Sequence, residues 1–297
     1  MIRYFLARRW RWFVAVVAVA VATVVVPTVL ASPSAKAANQ THINDPNCRP
    51  SAAHPSPVVL VHGLGANANE DLNVLQGELA QKGYCTFALT YGADPRFPYV
   101  GGVRPIAESA PQIAAFINQV LTKTGAPKAD LVGHSEGAFQ TLYVTKTQGI
   151  AARIDRVVAI APPTHGTTFS GLASLSYLFG STSRQSTKAM LDAFGCYACA
   201  DLIVGGAAVK TLDNGLIAQS GVSYTIIASR RDEMVTPVGT AFVHEPGVVN
   251  RYVQDVCPLD PVGHLGEAYD TTVWQMVENA LDPAHAKAIA CSYGFPA

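Results

Sequence analysis

The chain has 297 residues, 49% of them hydrophobic, which suits one large buried core and excludes a disordered or fibrous chain. Its 21 Lys and Arg balance 21 Asp and Glu, but residues 38–297 alone carry 16 positive against 21 negative side chains, a net of −5. A mildly acidic domain does not suit phosphate backbones, so nucleic acid is excluded as the expected partner.

The N-terminus reads as an export signal. Arg3, Arg8, Arg9 and Arg11 precede and open an apolar run over 13–30, and Ala35-Lys36-Ala37 supplies a small-x-small cleavage pattern, so 1–37 is predicted to be a signal peptide and the protein to be secreted. The competing reading is an uncleaved membrane anchor, since the run approaches the length of a span; Pro27 and the Ala-x-Ala site favour removal. No linker-like tract or internal repeat follows, which predicts a single domain over 38–297, expected to act as a monomer.

The short apolar run 57–61 predicts a strand ending in His62-Gly63. A helix over about 70–82 follows, with Leu72, Leu75 and Leu79 on one face and Gly83 as its stop. Residues 85–91 read as a strand. Pro105 opens a long helix carrying Ile106, Ile113, Phe116, Ile117, Val120 and Leu121, closed near Gly125. A strand over 130–133 and a helix over 135–147 come next, then strands over 156–161, 222–229 and 249–256 and a final helix over about 264–281. Apolar strands alternating with helices predict a mostly parallel sheet covered on both faces, with reactive groups beyond the carboxyl ends of its strands. Residues 162–221 interrupt the alternation without a clear strand. A connection this long is usually functional, and Leu172, Leu175, Tyr177, Leu178 and Phe179 would serve either a lid against an apolar substrate or plain packing on the sheet.

Six cysteines, Cys48, Cys85, Cys196, Cys199, Cys257 and Cys291, follow the predicted cleavage site. An even count in an exported chain predicts disulfides, although six cysteines allow fifteen pairings. Cys196 and Cys199 lack the thioredoxin-like unit of a redox motif and the second pair of a zinc site, which leaves a small structural loop. No metal or organic cofactor is expected.

Gly133-His134-Ser135-Glu136-Gly137 joins a predicted strand to a predicted helix. In that context Gly-x-Ser-x-Gly has a mechanical meaning: a tight turn pushes the serine hydroxyl out of the sheet of an α/β-hydrolase fold. The hydroxyl needs a base, and the base an acid, in the chain order Ser, Asp or Glu, His. Asp232 ends the strand over 222–229 and His264 follows the last strand, so Ser135, Asp232 and His264 form the predicted triad. Glu233 is the rival acid; His165, too early in the chain, and His244, between acid and last strand, are the rival bases. The oxyanion needs two backbone N–H groups, assigned to Glu136 and to Leu64 in the glycine-rich turn His62-Gly63-Leu64-Gly65.

These motifs carry a resemblance. Val-Leu-Val-His-Gly at 59–63, Gly-Tyr-Cys at 83–85, Gly-His-Ser-x-Gly at 133–137, His-Gly-Thr-Thr at 165–168, Asp-Glu-x-Val-Thr-Pro at 232–237 and Asp-x-Cys-Pro from 255 resemble secreted actinobacterial lipases of the class 2 lipase family. The resemblance implies hydrolysis of acylglycerol esters at a lipid–water interface, with Ser135, Asp232 and His264 as the triad. It also implies the disulfides Cys48–Cys85, Cys196–Cys199 and Cys257–Cys291. A short-chain esterase, cutinase-like polyesterase, phospholipase or transacylase would use the same machinery, and a silent lipid-binding relative would keep only the fold. Two positions depart from the family pattern. Glu136 replaces the usual Gln after the nucleophile, and its carboxylate would oppose an oxyanion unless turned away or protonated. Gly263 replaces the usual acidic residue before the histidine.

Overall fold

The computed structural model describes residues 42–168 and 195–297. The predicted signal peptide over 1–37 and the apolar cluster from Leu172 to Phe179 therefore lie outside the described residues. Six parallel strands, β1 (Val58–Val61), β2 (Thr86–Ala88), β3 (Ala129–His134), β4 (Ile154–Ile160), β5 (Ser223–Ala228) and β6 (Val248–Tyr252), form one sheet in the order β2-β1-β3-β4-β5-β6. The described helices are α1 (Asn73–Gln81), α2 (Ile106–Thr124), α3 (Glu136–Thr147), α4 (Tyr197–Leu202), α5 (Ala207–Leu212), α6 (Val253–Val256) and α7 (Thr271–Leu281).

Strand period decides which helix covers which face, because successive side chains point to opposite sides. Val59 and Val61 of β1, Leu131 of β3 and Val157 and Ala159 of β4 pack with Ile113 and Ile117 of α2, Phe139 and Leu142 of α3 and Leu212 of α5. The alternate positions Val58, Leu60, Val132, Val158 and Ile160 pack with Leu75 and Leu79 of α1 and Val273 and Val277 of α7. Each fully buried large apolar side chain contributes about 1.5–3 kcal/mol. The order also places β1 between β2 and β3, so the chain leaves β1 to one side and returns on the other. In parallel sheets of this kind reactive groups gather beyond the strand ends at such a reversal, and Gly63 and Ser135 follow β1 and β3 there.

Several boundaries differ from the sequence expectation. The helix predicted over 70–82 starts only at Asn73, because Asp71 takes a left-handed backbone (φ 64°) and commits its carboxylate elsewhere. The strand predicted over 85–91 shortens to Thr86–Ala88. The strand predicted to 256 ends at Tyr252, whose N–H donates to Asp255 Oδ2 at 3.2 Å and starts α6. The last helix begins at Thr271 rather than 264, where Asp270 Oδ1 caps it by accepting from the N–H groups of Thr272 and Val273. Residues 162–221 hold α4 and α5 in their described part.

The disulfides are Cys48–Cys85, Cys196–Cys199 and Cys257–Cys291, the three pairs that the resemblance implied. The first and third close loops with sequence separations of 37 and 34 residues, each worth about 3–4 kcal/mol by loop-closure entropy. No described helix is long and apolar enough to cross a membrane.

Candidate active site

Ser135 occupies the turn between β3 and α3 with φ 55° and ψ −123°, a region that side-chain-bearing residues rarely enter. The turn closes because its glycines allow contact: a Cβ on Gly133 would fall 2.5 Å from the Gly137 carbonyl oxygen, and one on Gly137 2.1 Å from that of Val61. Ser135 N–H donates to Ile160 O at 2.9 Å, fixing the turn to β4.

His264 Nε2 lies 2.7 Å from Ser135 Oγ, and His264 Nδ1 lies 2.8 Å from Asp232 Oδ2. The other Asp232 oxygen accepts from the N–H groups of Met234 and Val235, both at 2.8 Å, so the carboxylate cannot swing away. Both side chains are buried. An Nδ1–H held by a carboxylate leaves Nε2 bare and aimed at the serine hydroxyl, the arrangement that removes its proton. Glu233, the rival acid, accepts instead from the backbone N–H of His264 at 3.2 Å. His165 binds Asp213 Oδ1 at 2.7 Å and Phe242 O at 3.0 Å, anchoring the long connection. His244 is exposed and packs edge-on to Phe242.

The turn after β1 passes so near Ser135 that a Cβ on Gly63 would lie 3.2 Å from Ser135 Cβ. Neither Leu64 N–H nor Glu136 N–H donates to another described group, so both are available to an oxyanion. Gly65 N–H donates to Gly101 O at 2.9 Å and Gly101 N–H to Ala66 O at 2.8 Å, pairing this turn with the segment after β2.

Sequence reasoning missed the group that ties these loops together. Asp71 Oδ2 accepts from Gly63 N–H at 2.6 Å, Asp71 Oδ1 meets His134 Nδ1 at 2.8 Å, and His134 Nε2 meets the His264 carbonyl at 3.0 Å. A carboxylate and a carbonyl both only accept, so both ring nitrogens of His134 carry hydrogen and the ring is cationic. Burial opposes both charges, yet the pair wins: Asp71 is held below its usual range and His134 above its own. Nothing local signals this, since the partners are 8 and 63 residues apart.

Burial drives Glu267 well above the usual carboxyl range, with repulsion from Asp232 and Glu233 adding to it. Its carboxyl approaches Asp232 and His264, the ligand atoms of all three lying within 4.8 Å of one another. This group is not a ready cation site: Asp232 and His264 already satisfy each other, and burial works against a charge on Glu267. The other ligand-like cluster among the described residues, His42 with Cys48 and Cys85, has its sulfurs committed to a disulfide. Exposed apolar side chains adjoin each loop of the site: Leu64 beside the β1 turn, Phe97, Tyr99 and Val100 on the segment paired with it, Met234 beside Asp232 and Leu265 beside His264.

Comparison with known proteins places this geometry in a family. The chain is 31% identical over 198 residues to the triacylglycerol lipase of Burkholderia plantarii and 30% identical over 153 residues to that of Pseudarthrobacter phenanthrenivorans. These stretches cover 64% and 48% of this chain but 49% and 45% of the relatives, so the chain spans about half the length of the proteins it matches. Among solved structures, lipase B of Aspergillus fumigatus superposes with a TM-score of 0.58 at 18% identity, covering 82% of this chain and 57% of that one, a likeness of α/β-hydrolase fold. The sequence pattern of the family described as lipase (class 2) matches residues 55–277, well over half of the chain, which therefore belongs to the class 2 lipase family.

Proposed function

We propose that this protein hydrolyses carboxylic esters of lipids, acylglycerols foremost, through an acyl-enzyme on Ser135. The observation that carries this reading is the unbroken chain from Ser135 Oγ to His264 Nε2 and from His264 Nδ1 to Asp232, assembled at strand ends of the sheet. Ser135 attacks the ester carbonyl while His264 takes its proton, and Asp232 balances the imidazolium. The N–H groups of Leu64 and Glu136 stabilise the tetrahedral oxyanion, each worth about 10²–10³ in rate. His264 then protonates the leaving alcohol and activates the water that frees the acid. The apolar side chains around the site favour a lipid ester over a small polar one, and their exposure suits a transient lipid–water interface.

The three disulfides support export to an oxidising compartment after cleavage near residue 37. The exported form is then the domain over 38–297, with 162–221 as its cap, acting as a monomer. The test is rate against acyl length on p-nitrophenyl esters, combined with labelling by a serine-directed phosphonate. Medium- or long-chain preference with the label on Ser135 supports a lipase. A short-chain optimum moves the protein to the esterases, and absence of both turnover and label leaves a lipid-binding relative.

A further inference from the structure

Glu136 lends its N–H to the oxyanion site in the reading above, while its side chain has no part in that mechanism. The carboxyl is fully buried. Its Oε1 accepts from Gln140 Nε2 at 2.9 Å, and its Oε2 makes a short contact with the hydroxyl of Tyr91. The same hydroxyl lies 2.7 Å from the carbonyl oxygen of His62, the last residue before Gly63. A phenol has one hydrogen and a carbonyl has none to give. If the phenol serves His62, the hydrogen between Tyr91 and Glu136 has to come from Glu136.

We infer that Glu136 is held as a neutral carboxylic acid whose O–H donates to the Tyr91 oxygen, and that this relay, by way of the Tyr91 O–H donated to His62 O, positions the His62–Gly63 peptide leading to the Leu64 N–H. Gln140 marks Oε1 as the carbonyl oxygen, which leaves Oε2 as the hydroxyl. The surroundings hold this state. A Cβ on Gly102 would meet Glu136 Oε2 at 2.8 Å, and one on Gly101 would meet the His62 ring at 2.6 Å, so the glycine segment closes over the relay. Glu136 is a positioning group here; its backbone alone touches the reacting atoms. An amide at this position would offer N–H where the acid offers O–H, so a Gln there keeps the donor without the titratable proton.

Burial outweighs what the neighbouring groups do to the acid. Burial pushes Glu136 up to about 8, against a smaller pull from the hydrogen bonds of Tyr91 and Gln140. Burial pushes Tyr91 far above its usual value, so it keeps its hydrogen. The His62 ring stacks on Tyr91 at 4.5 Å and is pulled down by burial, so it is neutral. The Asp71–His134 pair, reached from β3 and the β1 turn, carries charges that cancel. On α2 the charged Glu108 and Lys123 are exposed. Ionisation of Glu136 would turn the Tyr91 hydrogen toward the carboxylate, release His62 O and set a negative charge next to the oxyanion.

The second half of this inference rests on the hydrolase reading, and the first does not. The experiment compares wild type with Glu136→Gln by thermal melting and by kcat/KM across pH. The folded acid binds its proton more tightly than the unfolded chain, so stability attributable to Glu136 is full below 4.5 and lost as pH rises to about 8. Over that window the folding equilibrium of wild type should fall about ten- to a thousandfold relative to Glu136→Gln. A pH-independent difference between the two overturns the neutral acid. Wild-type kcat/KM should fall about tenfold per pH unit above about 8, and this limb should be missing from Glu136→Gln when each is scaled to its own maximum. An identical alkaline limb in both overturns the positioning role. If wild type turns over no ester, the hydrolase reading fails while the melting comparison still decides the protonation state.

Discussion

His134 donates from Nδ1 to the Asp71 carboxylate at 2.8 Å, joining residues 63 positions apart next to Ser135. The pair touches three loops at once. Asp71 holds Gly63 of the β1 turn, His134 is the residue before Ser135, and the far side of its ring holds the carbonyl of His264. Removing one member of a buried ion pair strands the other and typically costs about 3–5 kcal/mol. Asp71→Ala should therefore lose stability of that order, and kcat should fall about 10- to 100-fold as the loops drift, since an ångström of misplacement costs about that much. The pH signs follow from the shifts. Asp71 is depressed, so its contribution is present above its ordinary value of 3.8 and lost as pH falls through the folded value. His134 is raised, so its contribution is full below 6.5 and lost as pH rises through the folded value. Urea unfolding of wild type and Asp71→Ala between about pH 3 and about pH 9 checks both limbs; a difference between the two chains that ignores pH would remove the ion pair from the account.

Asp232 and Glu233 are adjacent carboxylates with different tasks. Asp232 faces the His264 ring at 2.8 Å, whereas Glu233 accepts from the His264 backbone N–H at 3.2 Å. Asp232→Asn should cost roughly 10⁴-fold in kcat, because an amide there favours the wrong imidazole tautomer. Glu233→Gln keeps an oxygen that accepts from the same N–H and should cost less than about tenfold. Steady-state kinetics on one p-nitrophenyl ester separates them, and a larger loss from the Glu233 change would reassign the acid.

The parts legible in the sequence are those with a short-range cause. Apolar runs such as 57–61 report a doubly covered parallel strand, and Gly133 and Gly137 report a turn that no side chain fits. The order Ser135, Asp232, His264 follows from strand order alone. What periodicity misread is where a long-range contact overrides it. Leu72, Leu75 and Leu79 extend a helical pattern back through Asp71, but that residue leaves the helix to reach Gly63 and His134. Val253 and Val256 prolong a strand pattern that Asp255 ends by capping α6. The direction of the Glu136 side chain depends on Tyr91, 45 residues away, and no spacing rule reaches that far.

The residue before His264 is a glycine for a reason visible in the tail. Gly263 N–H donates to Phe295 O at 2.9 Å and Gly266 N–H to Ala297 O at 2.6 Å, so residues 294–297 clamp both sides of His264. A Cβ on Gly263 would fall 2.8 Å from Ala297 N and one on Gly266 2.1 Å from Phe295 O, so side chains at either position would push the clamp off. Gly294 N–H donates to Asp260 Oδ1 at 3.0 Å, and the Cys257–Cys291 disulfide pins the start of the tail. Deleting residues 294–297 leaves that disulfide and α7 in place, so the fold should persist with little change in melting temperature. The His264 loop loses two backbone acceptors, and its ring should sample positions away from Ser135. We expect kcat to fall about 10- to 100-fold with KM changed by less than about threefold, the pattern of a misplaced base rather than lost substrate binding. Gly266→Ala should reproduce the effect in a chain that keeps residues 294–297, because it displaces them without removing them. If the shortened chain keeps wild-type kcat, the hold on His264 comes from Asp232, Glu233 and His134 alone, and the tail only covers the loop.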